Sequence, residues 1–259
     1  MKKNSVFFGD VFDFFKKIND NSIDLIIADP PYNQNIDKWD SFKNEKNYFN
    51  FTYKWLDLSI KKLNDKGSIY IFNNAYNSSY ILTYLISKGM KFRNWIIWHK
   101  KDGFSGTKKK FVNNQEVILF FTKTENYYFD SDSIRIPYLS QSRINAAKTK
   151  GIVKNGKRWF PNEKGKLCTN VWDFSSVRHK NKVNGKVVKT LHPTPKPENM
   201  IERMILASSK KNNIVLDLFS GSGTTSYMAK KLGRNFLSVE NNKDYYEYIK
   251  KRLKTLKDL

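Results

Sequence analysis

The chain has 259 residues, 39% hydrophobic and 15% aromatic, enough for one large α/β domain or a domain carrying a substantial insertion. Forty-seven Lys and Arg against 24 Asp and Glu leave a formal charge of +23, which favours a polyanionic partner, nucleic acid before membrane. A single cysteine, Cys168, and three scattered histidines, His99, His179 and His192, exclude a disulfide framework and offer no metal cluster; "MKKNSVFFGD" holds no apolar leader and no stretch approaches a membrane span, so a cytoplasmic protein is expected.

The first apolar run, "SVFFGD", closes on Asp10, and "VFDFFKKI" behind it has a helical period. "IDLIIAD" (23–29) is a second run, stopped at once by Pro30 and Pro31, which have no N–H for a sheet ladder. "YFNFTYKWLDLSIKKL" (48–63) reads as a helix, "GSIYIF" (67–72) as a strand and "NSSYILTYLISKG" (77–89) as a helix. "NWIIWHK" (94–100) and "EVILFFTK" (116–123), joined by the lysine-glycine loop "KKDGFSGTKKKF" (100–111), make an antiparallel pair near an edge. After residues 126–190, where the pattern breaks down, come "ENMIERMILASSKK" (198–211), "NIVLDLFSG" (213–221), "NFLSVE" (235–240) and "NKDYYEYIKKRL" (242–253). Unbroken apolar runs suit strands buried on both faces, and their alternation with helices predicts a doubly wound α/β fold with a mostly parallel sheet.

The irregular stretch is where the charge collects. Residues 143–190 carry thirteen Lys and Arg against Glu163 and Asp173, a local net of +11. Trp159, Phe160, Trp172 and Phe174 lie between the basic residues, an interleaving suited to gripping phosphates and reading or wedging bases. A solvated insertion is the alternative.

In a parallel sheet the strands' C-terminal ends share one edge, and ligands bind just beyond it. Asp10, Asp29, Asp217 and Glu240 all fall there, an acidic rim in a basic protein, which suggests a small ligand that is cationic or rich in hydroxyls and amines. "DLFSGSGTT" (217–225) is the turn leaving one strand, with Gly221 and Gly223 free to adopt positive φ and to let a ligand approach. Glu240 follows Gly223 by 17 residues, close to the spacing at which an acid reaches a ribose. A nicotinamide cofactor competes, but its fingerprint wants Gly or Ala where Ser226 stands, and an acidic rim repels its pyrophosphate. S-adenosylmethionine, with a sulfonium, an amine and a ribose, fits better.

Together "DPPY" (29–32), "HPTPKP" (192–197) and "DLFSGSGTT" resemble the amino-methyltransferases of DNA, and more narrowly the β-class adenine-N6 enzymes of type II restriction–modification systems. "DKWDSF", "NGKRWFPN" and "HKNKVNGK" look like members that modify an asymmetric site of the GAAGA type. The resemblance implies a seven-stranded, circularly permuted methyltransferase sheet. Residues 1–125 would form its catalytic half, 126–190 a target-recognition insertion and 191–259 the cofactor half. It implies Phe219, Ser220, Gly221 and Gly223 around the methionine part, Glu240 on the ribose and Asp10 on the cofactor's adenine amine, with Asp217 and Thr224 also binding the cofactor. Thr194 and Lys196 would face the cofactor's carboxylate. Helix capping by Asp10 or Glu240 and plain solvation of Lys196 are the rival employments of those side chains.

The chemistry expected of DPPY follows from the amine. An adenine N6 is a poor nucleophile because its lone pair is delocalised; acceptors on both its hydrogens, the Asp29 carboxylate and the Pro30 carbonyl, concentrate density on nitrogen. Pro30 and Pro31 hold that carbonyl outward, and Tyr32 offers a face on which an extruded base stacks, worth roughly 1–3 kcal/mol. Double-stranded DNA is the expected substrate, gripped by Lys101, Lys108, Lys109 and Lys110 in the 100–111 loop and by Arg143, Lys157, Arg158, Arg178, Lys180 and Lys182 in the insertion. Cytosine-N4 methylation on the same scaffold is the nearest rival, though related enzymes more often carry Ser where this chain has Asp29; a non-catalytic DNA-binding protein is a second. A cognate endonuclease, a second methyltransferase for the other strand and a homodimer are the partners the resemblance implies.

Overall fold

The computed structural model describes residues 1–100, 108–177, 180–183, 186–189, 192 and 194–256, with the backbone alone for Lys38, Arg143, 180–183 and 186–189. In chain order the elements are β1 (Ser5–Phe8), α1 (Val11–Phe15), β2 (Ile23–Ala28), α2 (Glu45–Lys62), β3 (Leu63–Asn73), α3 (Ala75–Ser87), β4 (Lys91–His99) and β5 (Gln115–Thr122). The basic stretch then holds α4 (Gln141–Lys150), β6 (Ile152–Lys154), β7 (Lys157–Trp159), β8 (Val171–Asp173), β9 (Lys180–Val183) and β10 (Lys186–Lys189). The chain closes with α5 (Glu198–Ser208), β11 (Ile214–Asp217), α6 (Thr224–Lys231), β12 (Asn235–Glu240) and α7 (Lys243–Lys254).

One sheet organises the molecule, in the order β1-β12-β11-β2-β3-β5-β4-β8. Every neighbour in it runs parallel except β5, which is antiparallel to both β3 and β4. Successive residues of β2 serve opposite cores: Ile26 and Ala28 pack under α1, α2 and α3, while Leu25 and Ile27 pack with α5 and α6. That two-sided burial explains why the strand shows no polar alternation. Helices start where Asn accepts a backbone N–H: Asn44 from Asn47 at 2.9 Å, Asn74 from Asn77 at 2.8 Å and Asn242 from Asp244 at 2.9 Å.

The sheet has eight strands where seven were expected. The eighth, β8, is only three residues long and comes from the basic stretch; Ile97 donates to the Asn170 carbonyl at 2.8 Å, stitching it to β4. Two aromatic residues on and just after it also correct an expectation. Trp172 and Phe174 are 6% and 9% exposed, packed in the core against Trp98 and Met200 rather than presented to a ligand. The Trp98 indole donates to the Phe174 carbonyl at 2.8 Å, so these rings anchor the insertion to the sheet. Trp159 and Phe160, by contrast, are about half exposed, at 46% and 53%. No helix among the described residues is long and apolar enough to cross a membrane.

Candidate active site

Because β1, β12, β11 and β2 are adjacent and parallel, their ends bring Asp10, Glu240, Asp217 and Asp29 to one rim. Since β5 runs the other way, its start, Gln115 and Glu116, reaches the same rim beside Lys100 at the end of β4. A cavity of about 650 Å³ opens there. Every residue expected to bind cofactor or act on a base lines it, from Asp29–Tyr32 through Thr194 and Lys196 to Ser220, Gly221 and Glu240, except Gly223. That glycine (φ +71°) lies behind the wall, where a Cβ would come within 2.8 Å of Ile249 on α7; its bareness serves helix packing.

At the glycine end, the Gly221 N–H donates to Glu240 at 2.7 Å and the Asn242 N–H to its other oxygen at 2.8 Å. Glu240 is buried, and burial raises its pKa although those N–H groups oppose the shift. Asp217 lies deeper; burial, only partly offset by the Phe219 N–H and the Thr225 hydroxyl, pushes its pKa up to about 7. Asp10 caps α1, accepting the Phe12 N–H at 2.7 Å, yet remains exposed at the cavity edge, so capping and lining coincide. The chemistry of this end fits S-adenosylmethionine. Burial raises the pKa of both Glu240 and Asp217, so both stand to gain from a cationic ligand, and Glu240 keeps lone pairs for vicinal hydroxyls. Phe51 and Phe219, 6.2 Å apart, add an apolar wall.

At the other end stands DPPY. Tyr32 donates its hydroxyl to Asp29 at 2.8 Å and lies 3.2 Å from Glu116. Burial, then the two carboxylates, hold the phenol's pKa well above its usual range. The Pro30 carbonyl meets no donor among the described residues. The turn beyond is organised by a side chain to which the sequence reading gives no role. Asp40, 1% exposed, accepts the N–H groups of Tyr32 (2.5 Å), Asn33 (2.9 Å), Gln34 (2.9 Å) and Ile36 (3.3 Å). Asn77 holds the Tyr32 carbonyl at 2.8 Å, and Asn33 and Asn35 take positive φ, which Asn tolerates better than other side chains.

The HPTPKP segment bridges the two ends. His192 packs on Gly221, where an added Cβ would lie 2.8 Å from its Nε2, and its ring lies 5.0 Å from that of Tyr245. Thr194 is exposed on the lining. Lys196, expected at the cofactor's carboxylate, lines the cavity, pairs with Asp29 at 2.6 Å and faces Glu116 at 3.6 Å. A side chain only 10% exposed needs carboxylates close by, and among the described residues these are the two it pairs with. Burial lowers its pKa, but Asp29 and Glu116 outweigh that and the net shift is upward. Burial likewise opposes the Glu116 charge; Lys196 and Lys100 overcome it and hold this carboxylate below its usual value.

The residues expected to touch DNA fall into two groups. Lys108, Lys109 and Lys110 are exposed on the loop that leaves the cavity rim after Lys100 and returns at Gln115. Lys157 and Arg158 are exposed on β7, though Arg158 also donates to the Lys150 carbonyl at 3.1 Å, tying the hairpin to α4. Lys101 and Arg178 lie outside the described residues, as do the side chains of Arg143, Lys180 and Lys182.

Comparison with known proteins agrees with this geometry. A family model described as DNA methylase matches residues 23–251. The type II methyltransferase M1.MboII of Moraxella bovis is 53% identical over 234 residues, 90% of each chain. Among solved structures, the complex of M1.HpyAVI with S-adenosylmethionine superposes with a TM-score of 0.62 at 26% identity, covering 96% of this chain and 99% of that one. The cytosine-N4-specific PvuII DNA methyltransferase shares the fold, with a TM-score of 0.71 at 17% identity over 97% of this chain and 86% of its own. The chain belongs to the DNA methylase family and is a type II DNA methyltransferase that uses S-adenosylmethionine.

Proposed function

We propose that the enzyme methylates N6 of an adenine flipped out of double-stranded DNA at a specific site, and so protects DNA from a cognate endonuclease. The observation that carries this reading is the placement of Asp29, Pro30 and Tyr32 on the wall of the same cavity as Gly221 and Glu240. A base and a methyl donor can meet there.

Bound S-adenosylmethionine supplies a methyl group already activated by its sulfonium. The protein's task is positioning and electrostatics. Asp29 accepts one N6 hydrogen and the Pro30 carbonyl the other, drawing the nitrogen toward tetrahedral geometry. Asp40 and Asn77 keep that carbonyl and the Tyr32 ring in place by clamping the turn on both sides. A carboxylate is far too weak a base to deprotonate a neutral aryl amine beforehand; the methylated, cationic nitrogen gives up its proton readily to solvent afterwards. Flipping the base costs a few kcal/mol, offset by stacking on Tyr32 and by the lysines of the 108–110 loop.

Residues 126–190 read the sequence in this proposal, with Trp159 and Phe160 exposed on or beside the β6–β7 hairpin. A GAAGA-like asymmetric site, a second methyltransferase for its other strand, a homodimer and a cytoplasmic location belong to the same reading. Asp29 favours adenine over cytosine as the target. Digestion of modified DNA to nucleosides followed by mass spectrometry tests it: N6-methyladenine is expected from the wild type and almost none from Asp29→Ala with cofactor binding intact. N4-methylcytosine, or full activity in the variant, overturns it.

A further inference from the structure

Glu116 takes no part in the chemistry above, yet its side chain is only 15% exposed on the cavity wall. Its Oε1 accepts from Lys100, while Oε2 lies 3.2 Å from the Tyr32 hydroxyl and 3.6 Å from the Lys196 ammonium. Lys196 in turn donates to Asp29 Oδ2 at 2.6 Å. The four groups form a chain, Asp29–Lys196–Glu116–Lys100, with no net formal charge. The rings of Tyr32, Phe72 and Trp98 enclose its centre, with centroids 5.7, 5.1 and 5.9 Å from the Lys196 nitrogen.

This arrangement obstructs the reaction as it stands. An ammonium on Asp29 Oδ2 competes with the amine for that oxygen, and its charge opposes the positive charge that nitrogen acquires as the bond to the methyl carbon forms. Breaking the pair outright would strand a buried charge, at high cost. Glu116 offers the alternative acceptor. Its Oε2 already faces Lys196, and Lys100 holds it there through the other oxygen.

Resting on the reading of DPPY as the seat of an exocyclic amine, we infer that Glu116 is a positioning residue that draws Lys196 off Asp29 when the target base enters. The ammonium tips from Asp29 Oδ2 to Glu116 Oε2, and the freed oxygen accepts the amine hydrogen. The Tyr32 hydroxyl, nearer to Asp29 than to Glu116, stays on Oδ1 and keeps the carboxylate oriented.

The test is steady-state methylation with calorimetric titration of S-adenosylmethionine on the full chain. Glu116→Gln leaves Lys196 on Asp29, so kcat falls on the order of a hundredfold while cofactor affinity is unchanged. Adding Lys196→Met removes the obstruction and restores at least about tenfold of the loss. Adding Lys100→Met instead restores none, because Lys100 never touches Asp29. Wild-type kcat in Glu116→Gln, or a Glu116→Gln/Lys196→Met enzyme no faster than Glu116→Gln alone, overturns the inference. If Glu116→Gln fails to fold, Glu116→Asp keeps the charge but shortens the reach; it must then lose kcat without losing cofactor affinity, and wild-type kcat in it is equally fatal. Nucleoside analysis of the wild-type product separates the two levels. A product other than an N-methylated base sinks the underlying reading, whereas N6-methyladenine with an indifferent Glu116 sinks only this one.

Discussion

Replacing Asp40 by Asn changes almost no volume and isolates the clamp on the DPPY turn. The Asp40 carboxylate accepts four backbone N–H groups, two on each oxygen, from Tyr32 and Asn33 and from Gln34 and Ile36. An Asn side chain keeps one acceptor oxygen and turns an NH2 toward the other two donors. Two charge-assisted bonds are lost, at about 1.5–3 kcal/mol each, so the ordered turn is disfavoured by roughly 3–6 kcal/mol before relaxation. Asn77 still holds the Tyr32 carbonyl, so the loss falls on the geometry of the turn rather than on the fold. If half of it reaches the transition state, turnover drops about tenfold to a hundredfold, at 1.4 kcal/mol per factor of ten. Single-turnover methylation reads the chemical step and calorimetry the affinity for S-adenosylmethionine, which should stay within about twofold, because the Asp40 carboxylate bonds the turn after DPPY and not Gly221 or Glu240. Wild-type single-turnover rates in Asp40→Asn would refute the clamp.

Other consequences follow from the same geometry. Asp217 titrates near pH 7 when buried, so the folded protein binds a proton there that the unfolded chain, with an ordinary carboxylate, has lost. Between about pH 4 and 7 this group therefore lowers stability as pH rises; Asp217→Asn should flatten that slope in denaturant titrations. A cationic cofactor favours the ionised form, so affinity for S-adenosylmethionine should rise through pH 7 with proton release, and the variant should show neither. Trp172→Ala should cost about 3–5 kcal/mol of stability, whereas Trp159→Ala should leave the unfolding midpoint nearly unchanged and weaken DNA binding; equal effects would reject their assignment to core and surface. Charge reversal at Lys108, Lys109 and Lys110 should make DNA affinity less salt-dependent, by about 0.9 in log–log slope for each phosphate left without its lysine. An unchanged slope removes the loop from the interface.

How far the sequence could be read depended on the range of the interactions involved. Apolar runs ending in Asp10, Asp29, Asp217 and Glu240 are local patterns, and the parallel sheet converts them directly into a shared acidic rim. The place of Glu116 is legible in the sequence: a strand antiparallel to its neighbours begins where they end, so an acid opening "EVILFF" belongs to the same rim. Asp40 was not legible, because its role depends on a turn folding back over residues 32–36, and nothing distinguishes it in "DKWDSF" from a solvated acid. The motif around Lys196 points to a cofactor contact, and its bond to Asp29, at the end of a strand far off in the chain, is not in the local pattern. The basic neighbours of Trp172 and Phe174 point to DNA but say nothing about burial, which a three-residue strand at the sheet edge imposes.

The central claim is that Asp29 and the Pro30 carbonyl receive the two hydrogens of one exocyclic amine. A crystal structure of the enzyme with its methylation-site duplex and an unreactive analogue of S-adenosylmethionine tests it most directly. The predicted result is an adenine outside the helix, stacked on Tyr32, with N6 within about 3.2 Å of both acceptors and Lys196 on Glu116. A target adenine left in the duplex stack, or one whose N6 contacts neither Asp29 nor Pro30, would contradict it.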